Sequence, residues 1–262
     1  MLTLEILCAT MHQSDFSKIR EMNIKTDVVF ANQCDRTAYE EMTFNGHRAK
    51  MISTQTRGVG NNRNIALAYA SADVCLFADD DVVYCDGYEK TVLDFYDRHP
   101  DADVVIFNFL VSRNGSKPDN IVNKTGKIRG RKLSWGTYAI SARRASLEWH
   151  NLKFHHDFGG GATYSCGEDT CFLNDCYSKR LKVYQCADTI GRVDHTESTW
   201  FEGYTDKFFI DKGVLFYKLV GCRATIAALY HCIKHRAEYS DVGWRKAFSL
   251  MRKGAKDAKK KD

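Results

Sequence analysis

The fold of this chain is decided by one stretch, RGVGNNRNIALAYASADVCLFADDDVVY, at residues 57–84. It begins as a loop rich in Gly and Asn and continues with apolar residues at the i, i+3, i+4 and i+7 spacing of one helix face. Those residues are Ile65, Ala68, Tyr69 and Ala72. The short apolar run at 74–78 then predicts a buried strand in the middle of a sheet.

Three consecutive aspartates, Asp79, Asp80 and Asp81, end this predicted strand. Open α/β sheets bind their ligands at the carboxyl ends of strands, which is where these side chains would lie. Three adjacent like charges are costly unless a cation or a hydrogen-bonding ligand compensates them. A solvated acidic turn is the alternative for a bare DDD sequence, but the preceding helix and strand favour a ligand site.

The elements predicted around that stretch alternate between strand and helix. Predicted strands cover residues 2–8, 26–31, 49–53, 74–78 and 104–109, and flanking helices cover 15–22 and 87–99. This alternation predicts an α/β fold with a mostly parallel, doubly wound sheet. Beyond it, we interpret 110–131 as an excursion or lid, 132–141 as a strand, and 182–186 as another strand.

Length and composition indicate a folded protein with a substantial hydrophobic core. The 262 residues, 44% of them hydrophobic, suffice for one large α/β domain or two small ones, and no Pro-rich or Gly/Ser-rich linker divides them. The ten cysteines lie mostly inside apolar runs and form no CxxC pair. Since we identify no signal peptide at the N-terminus, we expect reduced cysteines in a cytoplasmic protein.

Positive charge is concentrated at the C-terminus. From Lys234 onward there are ten Lys and Arg against four Asp and Glu. This surplus of six positive charges exceeds the net charge of +5 of the whole chain. Such a basic tail either contacts anionic lipid at a membrane surface or is simply solvated. Nucleic-acid binding is disfavoured, because the basic residues are not interleaved with aromatic residues along a core face.

The most apolar segment, residues 208–235, precedes that tail. Lys218 and Arg223 interrupt it, so no run reaches the ~18 uninterrupted apolar residues of a membrane-spanning helix. A packed pair of helices and an amphipathic element on a membrane surface are the two interpretations that the sequence leaves open.

A second acidic pair, Glu168 and Asp169, follows a triple-glycine loop and opens a predicted helix. Carboxylates in the first turn of a helix favour its dipole, so stability alone could explain them. Alternatively, one of them serves as a general base toward a hydroxyl. Aspartates at a strand end suit Mg²⁺ or Mn²⁺ with a nucleoside diphosphate, and Mn²⁺ also accepts an imidazole such as that of His195.

Five sequence blocks together resemble a family 2 glycosyltransferase of the GT-A fold. They are the loop GVGNNRN at 58–64, the strand with its DxD element LFADDD at 76–81, the loop FGGGA at 158–162, the helix start GEDTCF at 167–172, and VDH with Ser198 at 193–198. The resemblance spans residues 2–200 and leaves the last sixty residues outside.

The resemblance implies catalytic and metal-binding roles. Asp169 would be the base that deprotonates an acceptor hydroxyl, with Glu168 supporting acceptor or sugar binding. Asp81 would ligate Mn²⁺ or Mg²⁺, and His195 would approach the metal or the diphosphate.

It also implies contacts with both substrates. Nucleotide-binding residues would be Ala9, Thr10, Asp35, Arg63, Asp79 and Asp80. Acceptor-binding residues would be Gly160, Gly161 and Trp200. The chain departs from the family pattern where the second strand ends in Asn-Gln-Cys-Asp instead of an acidic turn, and where the first strand lacks a following proline. The choice of nucleotide base therefore stays open.

As a member of this family, the chain would have a glycosyltransferase domain at 1–210, divided into a donor half at 1–110 and an acceptor half at 111–210. Residues 211–262 would form C-terminal helices and the basic tail. The implied activity is inverting, metal-dependent transfer from a UDP-sugar to a glycan or lipid-linked acceptor in cell-surface polysaccharide or lipid-linked glycan synthesis. The implied location is the cytoplasm, peripheral on the inner face of the membrane.

Two other functions are considered. A sugar nucleotidyltransferase on a related fold needs a Gly-rich, basic phosphate loop after the first strand, and residues 9–13 contain neither Gly nor Lys or Arg. A non-catalytic module that binds a nucleotide or glycan would have no use for the set formed by Asp81, Asp169 and His195.

Overall fold

The computed structural model describes residues 1–112, 119–194 and 203–260. Within them, eleven strands form one sheet. The strands are β1 (Leu4–Met11), β2 (Asp27–Gln33), β3 (Ala38–Phe44), β4 (His47–Thr54), β5 (Val74–Asp79), β6 (Val82–Tyr84), β7 (Val104–Ser112), β8 (Asp119–Asn120), β9 (Gly126–Lys127), β10 (Ile140–Arg143) and β11 (Val183–Asp194).

Helices cover the sheet and continue beyond it. They are α1 (Lys18–Glu21), α2 (Val59–Ala68), α3 (Tyr88–Arg98), α4 (Arg144–Trp149), α5 (Glu168–Ser178), α6 (Asp206–Val220), α7 (Ala224–Lys234) and α8 (Trp244–Lys259). Short 3₁₀ turns at Thr137–Ala139 and Gly221–Arg223 precede β10 and α7.

The sheet is mostly parallel, as the sequence predicts. Its main path runs β3-β4-β2-β1-β5-β10-β7-β11-β6. β4, β2, β1 and β5 pair in parallel, and β7 pairs in parallel with β11. Because β10 is antiparallel to both β5 and β7, those two strands share a direction as well. Six long strands therefore end at the same edge of the sheet.

The register brings the ends of three strands level at that edge. Ala9 of β1 pairs with Ala31 of β2 on one side and with Asp79 of β5 on the other. β5 itself is buried from Val74 to Ala78, as expected for a strand covered on both faces. Asp79 is thus the first residue of β5 to emerge at the carboxyl edge.

The predicted apolar face of α2 is confirmed at Ile65, which packs against the core, but is wrong at Ala68 and Tyr69, which are exposed. The helix ends at Ala68, and its buried residues are Gly60, Asn62, Arg63 and Ala66. Tyr69, which the pattern places in the core, is 45% exposed. The helix packs its polar face inward because Asn62 and Arg63 find hydrogen-bond partners at the edge of the sheet, which the spacing of apolar residues does not reveal.

Two strand assignments also differ from the sequence predictions. β3 was not predicted, because this edge strand is antiparallel to β4 and has no buried residue to give a regular apolar alternation. Of the predicted strand at 132–141, only Ile140 and Ser141 are extended in β10. Leu133 and Trp135 instead pack against the core from an irregular segment, and this packing produces the alternation.

An aromatic cluster packs β5 of the sheet against α5. Phe154 stacks on Phe172 of α5 with ring centroids 4.3 Å apart and an interplanar angle of 8°. Phe77 of β5 meets Phe154 edge-on at 5.1 Å. Such pairs contribute ~0.5–1.5 kcal/mol beyond burial, so they fix the start of α5 relative to the end of β5.

The C-terminal helices form a bundle with a small core of its own, made by Phe209, Ala228, Cys232, Tyr239, Ala247 and Met251. Two glycines let α6 and α8 approach closely. A Cβ atom on Gly213 would lie 1.9 Å from the Met251 carbonyl oxygen, and one on Gly254 would lie 2.0 Å from that of Ile210. The predicted C-terminal helical extension is therefore confirmed.

By length and composition alone, Asp206–Lys234 could cross a membrane, with a mean hydropathy of 1.2. The segment is not one straight helix, however. Gly221, at φ 56°, separates α6 from α7. α7 then returns along α6, so that the rings of Phe216 and His231 lie 5.3 Å apart. The structure thus contains the packed helix pair that the sequence allows.

Candidate functional site

The three aspartates at the end of β5 are held in three different ways. Asp79 accepts a 2.6 Å hydrogen bond from Arg63. Asp80 accepts a short hydrogen bond from the Thr10 hydroxyl of β1. Asp81 is the most exposed of the three, and its pKa is raised to about 6 by desolvation and by the like charges of Asp79 and Asp80. Negative charge is therefore crowded at the end of β5, and this crowding favours the protonated form of Asp81.

Arg63 of α2 joins the two predicted halves of the site. Its side chain is buried, and its two terminal nitrogens donate to Asp79 at 2.6 Å and to Glu168 of α5 at 2.9 Å. Burial opposes the charge of the guanidinium, but Asp79 and Glu168 raise its pKa above the ordinary value. The guanidinium also lies 5.5 Å from the Phe154 ring. Its terminal nitrogens are thus engaged by two carboxylates, while Nε has no partner among the described residues.

The neighbours of Arg63 hold further pieces of the site. Asn62 donates from Nδ2 to the carbonyls of Thr10 at 3.1 Å and Ala31 at 2.7 Å, which ties together the ends of β1 and β2. Asn64 exchanges two 2.8 Å hydrogen bonds with the backbone of Phe154. Consecutive residues of α2 therefore fix the two sides of one cleft.

The sequence did not indicate this role for Asn62, because its partners are the distant carbonyls of Thr10 and Ala31. The only signal in the sequence was a polar residue four positions before the buried Ala66, at the spacing of one helix face. Its Nδ2 satisfies two buried carbonyls, and its Oδ1 has no hydrogen-bond partner within the described part of the chain.

Asp169 is the second residue of α5, next to Glu168. Its Oδ1 accepts hydrogen bonds from the backbone N–H of Thr170 at 2.6 Å and from the Thr170 hydroxyl at 3.2 Å. Burial, followed by the charge of Glu168, raises the pKa of Asp169 to about 6, while Thr170 and Arg63 oppose the shift. A carboxylate with a pKa near the working pH is suited to general base catalysis.

The two glycine-rich loops pack against each other. The Val59 N–H donates to the Gly160 carbonyl at 2.9 Å. A Cβ atom on Gly60 would lie 2.5 Å from the His155 carbonyl oxygen, and one on Gly159, at φ 101°, would lie 2.8 Å from the Glu168 carboxylate. At these two positions a side chain would not fit, so the glycines allow the two loops to pack closely within the chain.

The remaining predicted nucleotide and acceptor positions are dispersed around the same edge. Ala9 and Thr10 are buried at the end of β1, and Asp35 is exposed in the turn after β2. Gly160 and Gly161 lie in the loop beside the start of α2, where Gly161 is exposed. All five are therefore on the carboxyl side of the sheet.

His195, Ser198 and Trp200 lie outside the described residues. The described strand that precedes them nevertheless gives a direction. Val193 of β11 pairs with Val82 of β6 in antiparallel register. The residue that follows Val193, Asp194, therefore lies next to the residue that precedes Val82, Asp81. β11 thus runs up to the three aspartates.

The donor atoms at this edge suit a hard divalent cation. Burial, and then the like charges of Asp79 and Asp80, raise the pKa of Asp81, and a divalent cation at this edge would offset that crowding of negative charge. No three His, Cys, Asp or Glu side chains form a ready-made metal site within residues 1–112, 119–194 and 203–260. A cation here would need ligands from substrate oxygens or water in addition to Asp81.

A helix from the C-terminal bundle holds the loop before α5. Asp211 of α6 is 3% exposed and accepts from both the N–H and the hydroxyl of Ser165 at 2.9 Å. Lys207 pairs with Asp211 at 2.5 Å and donates to the Thr163 carbonyl at 2.9 Å. The sequence gave no indication of this contact, because its partners are 46 positions apart and share no motif.

Comparison with known proteins agrees with this architecture. The family model described as Glycosyl transferase family 2 matches residues 25–166. No curated protein sequence matches the chain significantly.

Solved structures of S. aureus TarS have a similar fold. The structure of TarS 1–349 in complex with UDP-GlcNAc has a TM-score of 0.61 at 16% identity, covering 91% of this chain and 73% of that one. Another structure of TarS 1–349 has a TM-score of 0.59 at 15% identity, covering 91% of this chain and 72% of that one. A longer TarS structure has a TM-score of 0.60 at 17% identity, and the match covers 89% of this chain and 44% of that one. This likeness confirms the GT-A type of α/β fold expected from the sequence.

Proposed function

The chain belongs to glycosyl transferase family 2, and on that premise we propose that it moves a sugar from a nucleoside-diphosphate sugar to an acceptor hydroxyl with inversion at the anomeric carbon. One observation carries the proposal. The buried guanidinium of Arg63 joins Asp79 to Glu168, so the aspartates at the end of β5 and the base candidate Asp169 border the same cleft.

The reaction follows from these positions. The acceptor hydroxyl transfers its proton to the carboxylate of Asp169, which Thr170 holds through Oδ1. The acceptor oxygen attacks the anomeric carbon as the bond from that carbon to the diphosphate oxygen breaks. The nucleoside diphosphate leaves on the opposite side, which inverts the anomeric centre. General base catalysis of this kind contributes ~10²–10⁴-fold.

We further propose that Asp81 and His195 hold Mn²⁺ or Mg²⁺. When bound, such an ion offsets the negative charge that develops on the leaving diphosphate. Asp79 is oriented by Arg63, and Asp80 by Thr10, so the two neighbouring carboxylates stay in fixed positions beside the site of that charge.

For the donor, we propose a UDP-sugar. The TarS structures described with UDP-GlcNAc and with UDP make uridine nucleotides the first class to test. Ala9, Thr10 and Asp35 lie at the ends of β1 and β2, where the base and ribose would bind beyond the aspartates.

For the acceptor, we propose a glycan or lipid-linked oligosaccharide of the cell surface, met in the cytoplasm at the inner face of the membrane. Gly160, Gly161 and Trp200 are the proposed contacts. The division into a transferase domain at 1–210 and a C-terminal region at 211–262 is part of the same proposal, with the observed bundle beginning at Asp206.

A panel of nucleotide sugars, each with Mn²⁺ or Mg²⁺, tests the proposal by thermal shift, since a ligand that binds the native state raises its Tm. We expect at least one UDP-sugar to raise Tm and to release UDP when a glycan acceptor is added. Pyrophosphate release from a nucleoside triphosphate and a sugar phosphate would instead identify a nucleotidyltransferase. Donor binding without any turnover across the acceptor panel would indicate a binding module.

A further inference from the structure

The helix α7 presents an exposed apolar stripe. Ile226, Leu229, Tyr230 and Ile233 follow the i, i+3, i+4, i+7 spacing of one helix face and are 70%, 38%, 68% and 52% exposed. The opposite face of α7 is buried in the bundle, where Cys232 contacts Met251 at 3.7 Å between sulfur atoms. The stripe therefore points away from the bundle.

The segment that carries the stripe contains charged residues of one sign, all positive. Between Lys212 and Ala237 the sequence contains no Asp or Glu. The basic residues in that segment are Lys212, Lys218, Arg223, Lys234 and Arg236. Arg223 and Lys234 flank the stripe at its two ends, and both are exposed. Apolar side chains between cations match a surface that offers acyl chains beside anionic headgroups.

We propose that α7 is a membrane-docking helix that lies flat on an anionic lipid surface, with Ile226, Tyr230 and Ile233 inserted and Arg223 and Lys234 on lipid phosphates. The hairpin at Gly221 folds α7 back on α6, so α7 presents only one face. Its eleven residues also fall short of the ~20 that span a bilayer. The helix therefore lies in the interface and does not cross it.

A second copy of the chain fits the same stripe less well. A symmetric dimer with the stripes packed antiparallel would place Arg223 of one copy beside Lys234 of the other at both ends. Like charges in such positions disfavour the contact. An anionic membrane, by contrast, satisfies both the apolar side chains and the cations.

The exposed face of α8 supplies further positive charge. Four basic residues, Arg252, Lys253, Lys256 and Lys260, outnumber the single acidic residue, Asp257, in a shallow groove with a volume of about 340 Å³. Because this face has charge and lacks a comparable apolar stripe, it can add attraction to anionic lipid while α7 provides the insertion. The predicted lipid contact of the basic tail and the docking of α7 are thus separable by mutation.

Co-sedimentation of the full chain with vesicles tests the inference. Vesicles of phosphatidylglycerol and phosphatidylcholine are compared with phosphatidylcholine alone. We expect binding to the anionic vesicles only, and at least a tenfold weaker partition coefficient for the variant Ile226→Gln/Ile233→Gln. Met42→Gln is the matched control, because Met42 is an exposed apolar side chain on β3 that should not affect binding.

Three results would overturn the inference. They are unchanged vesicle binding by the Ile226→Gln/Ile233→Gln variant, equal binding to neutral vesicles, and a dimer in size-exclusion chromatography that this variant abolishes. The inference rests on the proposed function in one respect only, namely that the membrane would be where the enzyme binds a lipid-linked acceptor. Vesicle binding needs no donor, and the nucleotide thermal shift needs no lipid, so the two proposals fail independently. An unchanged Tm and circular dichroism spectrum establish that the variant is folded.

Discussion

At the scale of single residues, Asp169 is the group whose chemistry can be isolated most cleanly. Asp169→Asn keeps the shape of the side chain but removes its ability to accept a proton. We expect transfer to fall by ~10²–10⁴-fold, with the donor dissociation constant nearly unchanged. Calorimetry of donor binding and product analysis of transfer measure the two effects. Transfer at a near wild-type rate would show that Asp169 is not the base.

A control for this substitution lies in the same helix. Asp175 of α5 pairs with His155 at 2.8 Å, away from the aspartates of β5. Asp175→Asn changes the charge of α5 by the same amount, and we expect it to keep most of the transfer activity. A loss equal to that of Asp169→Asn would mean that the charge of α5, and not the proton acceptor, matters.

The raised pKa of Asp169 predicts the acid side of the pH profile. The base works only when ionised, and its pKa is raised to about 6. At saturating donor and acceptor, kcat should therefore be level above pH 7 and fall about tenfold per pH unit well below 6. A kcat that stays constant down to pH 5 would contradict the assignment.

At the scale of secondary-structure elements, Arg63 is the connection between β5 and α5. Arg63→Met leaves Asp79 and Glu168 without their shared cation, and breaking a buried ion pair from one side costs ~3–5 kcal/mol. We therefore expect the free energy of unfolding, measured in urea, to fall by about 3–5 kcal/mol. Since Asp79 is 35% exposed, the lower end of the range is expected.

Two further variants test whether the loss comes from the unpaired carboxylates. Adding Glu168→Gln to Arg63→Met removes one orphaned charge and should restore part of the stability. Arg36→Met removes an arginine whose pair with Glu40 is exposed, and exposed pairs contribute only ~0–1 kcal/mol. Equal losses for Arg63→Met and Arg36→Met would argue against a buried connection.

The elements themselves show what the sequence can and cannot predict. β5 and the start of α5 were predicted because a short apolar run and a carboxylate pair after glycines are local signals. The buried face of α2 was not, since the partners of Asn62 and Arg63 come from β1, β2, β5 and α5. The polar face of α2 can be buried only because the ends of these strands and the start of α5 supply its hydrogen-bond partners, and these partners are far away in the sequence.

The packing of α6 on α8 makes a prediction at the same scale. Ala at position 254 places its Cβ against the Ile210 carbonyl at a distance that no real contact has, so the helices must separate. We expect Gly254→Ala to lower Tm and the free energy of unfolding by ~1–3 kcal/mol. Ser249→Ala, on the exposed face of α8, is the matched control. No change for Gly254→Ala would mean that the two helices are not in close contact.

At the scale of the whole molecule, the bundle and the transferase core meet at the loop before α5. Asp211 of α6 accepts both hydrogen bonds of Ser165, just ahead of Gly167 and the pair Glu168 and Asp169. The side chain of Leu215 fills the space beside Gly167, where a Cβ atom would lie 2.7 Å from it. Helix α6, which lies outside the family pattern, therefore holds the loop before Glu168 and Asp169 in place, and the sequence motifs do not reveal this contact.

This coupling predicts an effect on one substrate only. In Asp211→Asn the amide holds Ser165 and Lys207 less firmly, so the loop before α5 becomes less fixed. We expect KM for the acceptor to rise several-fold, with the donor-induced thermal shift unchanged and stability lowered by ~1–3 kcal/mol. Asp206→Asn is the matched control in the same helix, because its pair with Lys246 is exposed. If both variants change acceptor KM equally, or if donor binding weakens as much as acceptor binding, α6 does not act through this loop.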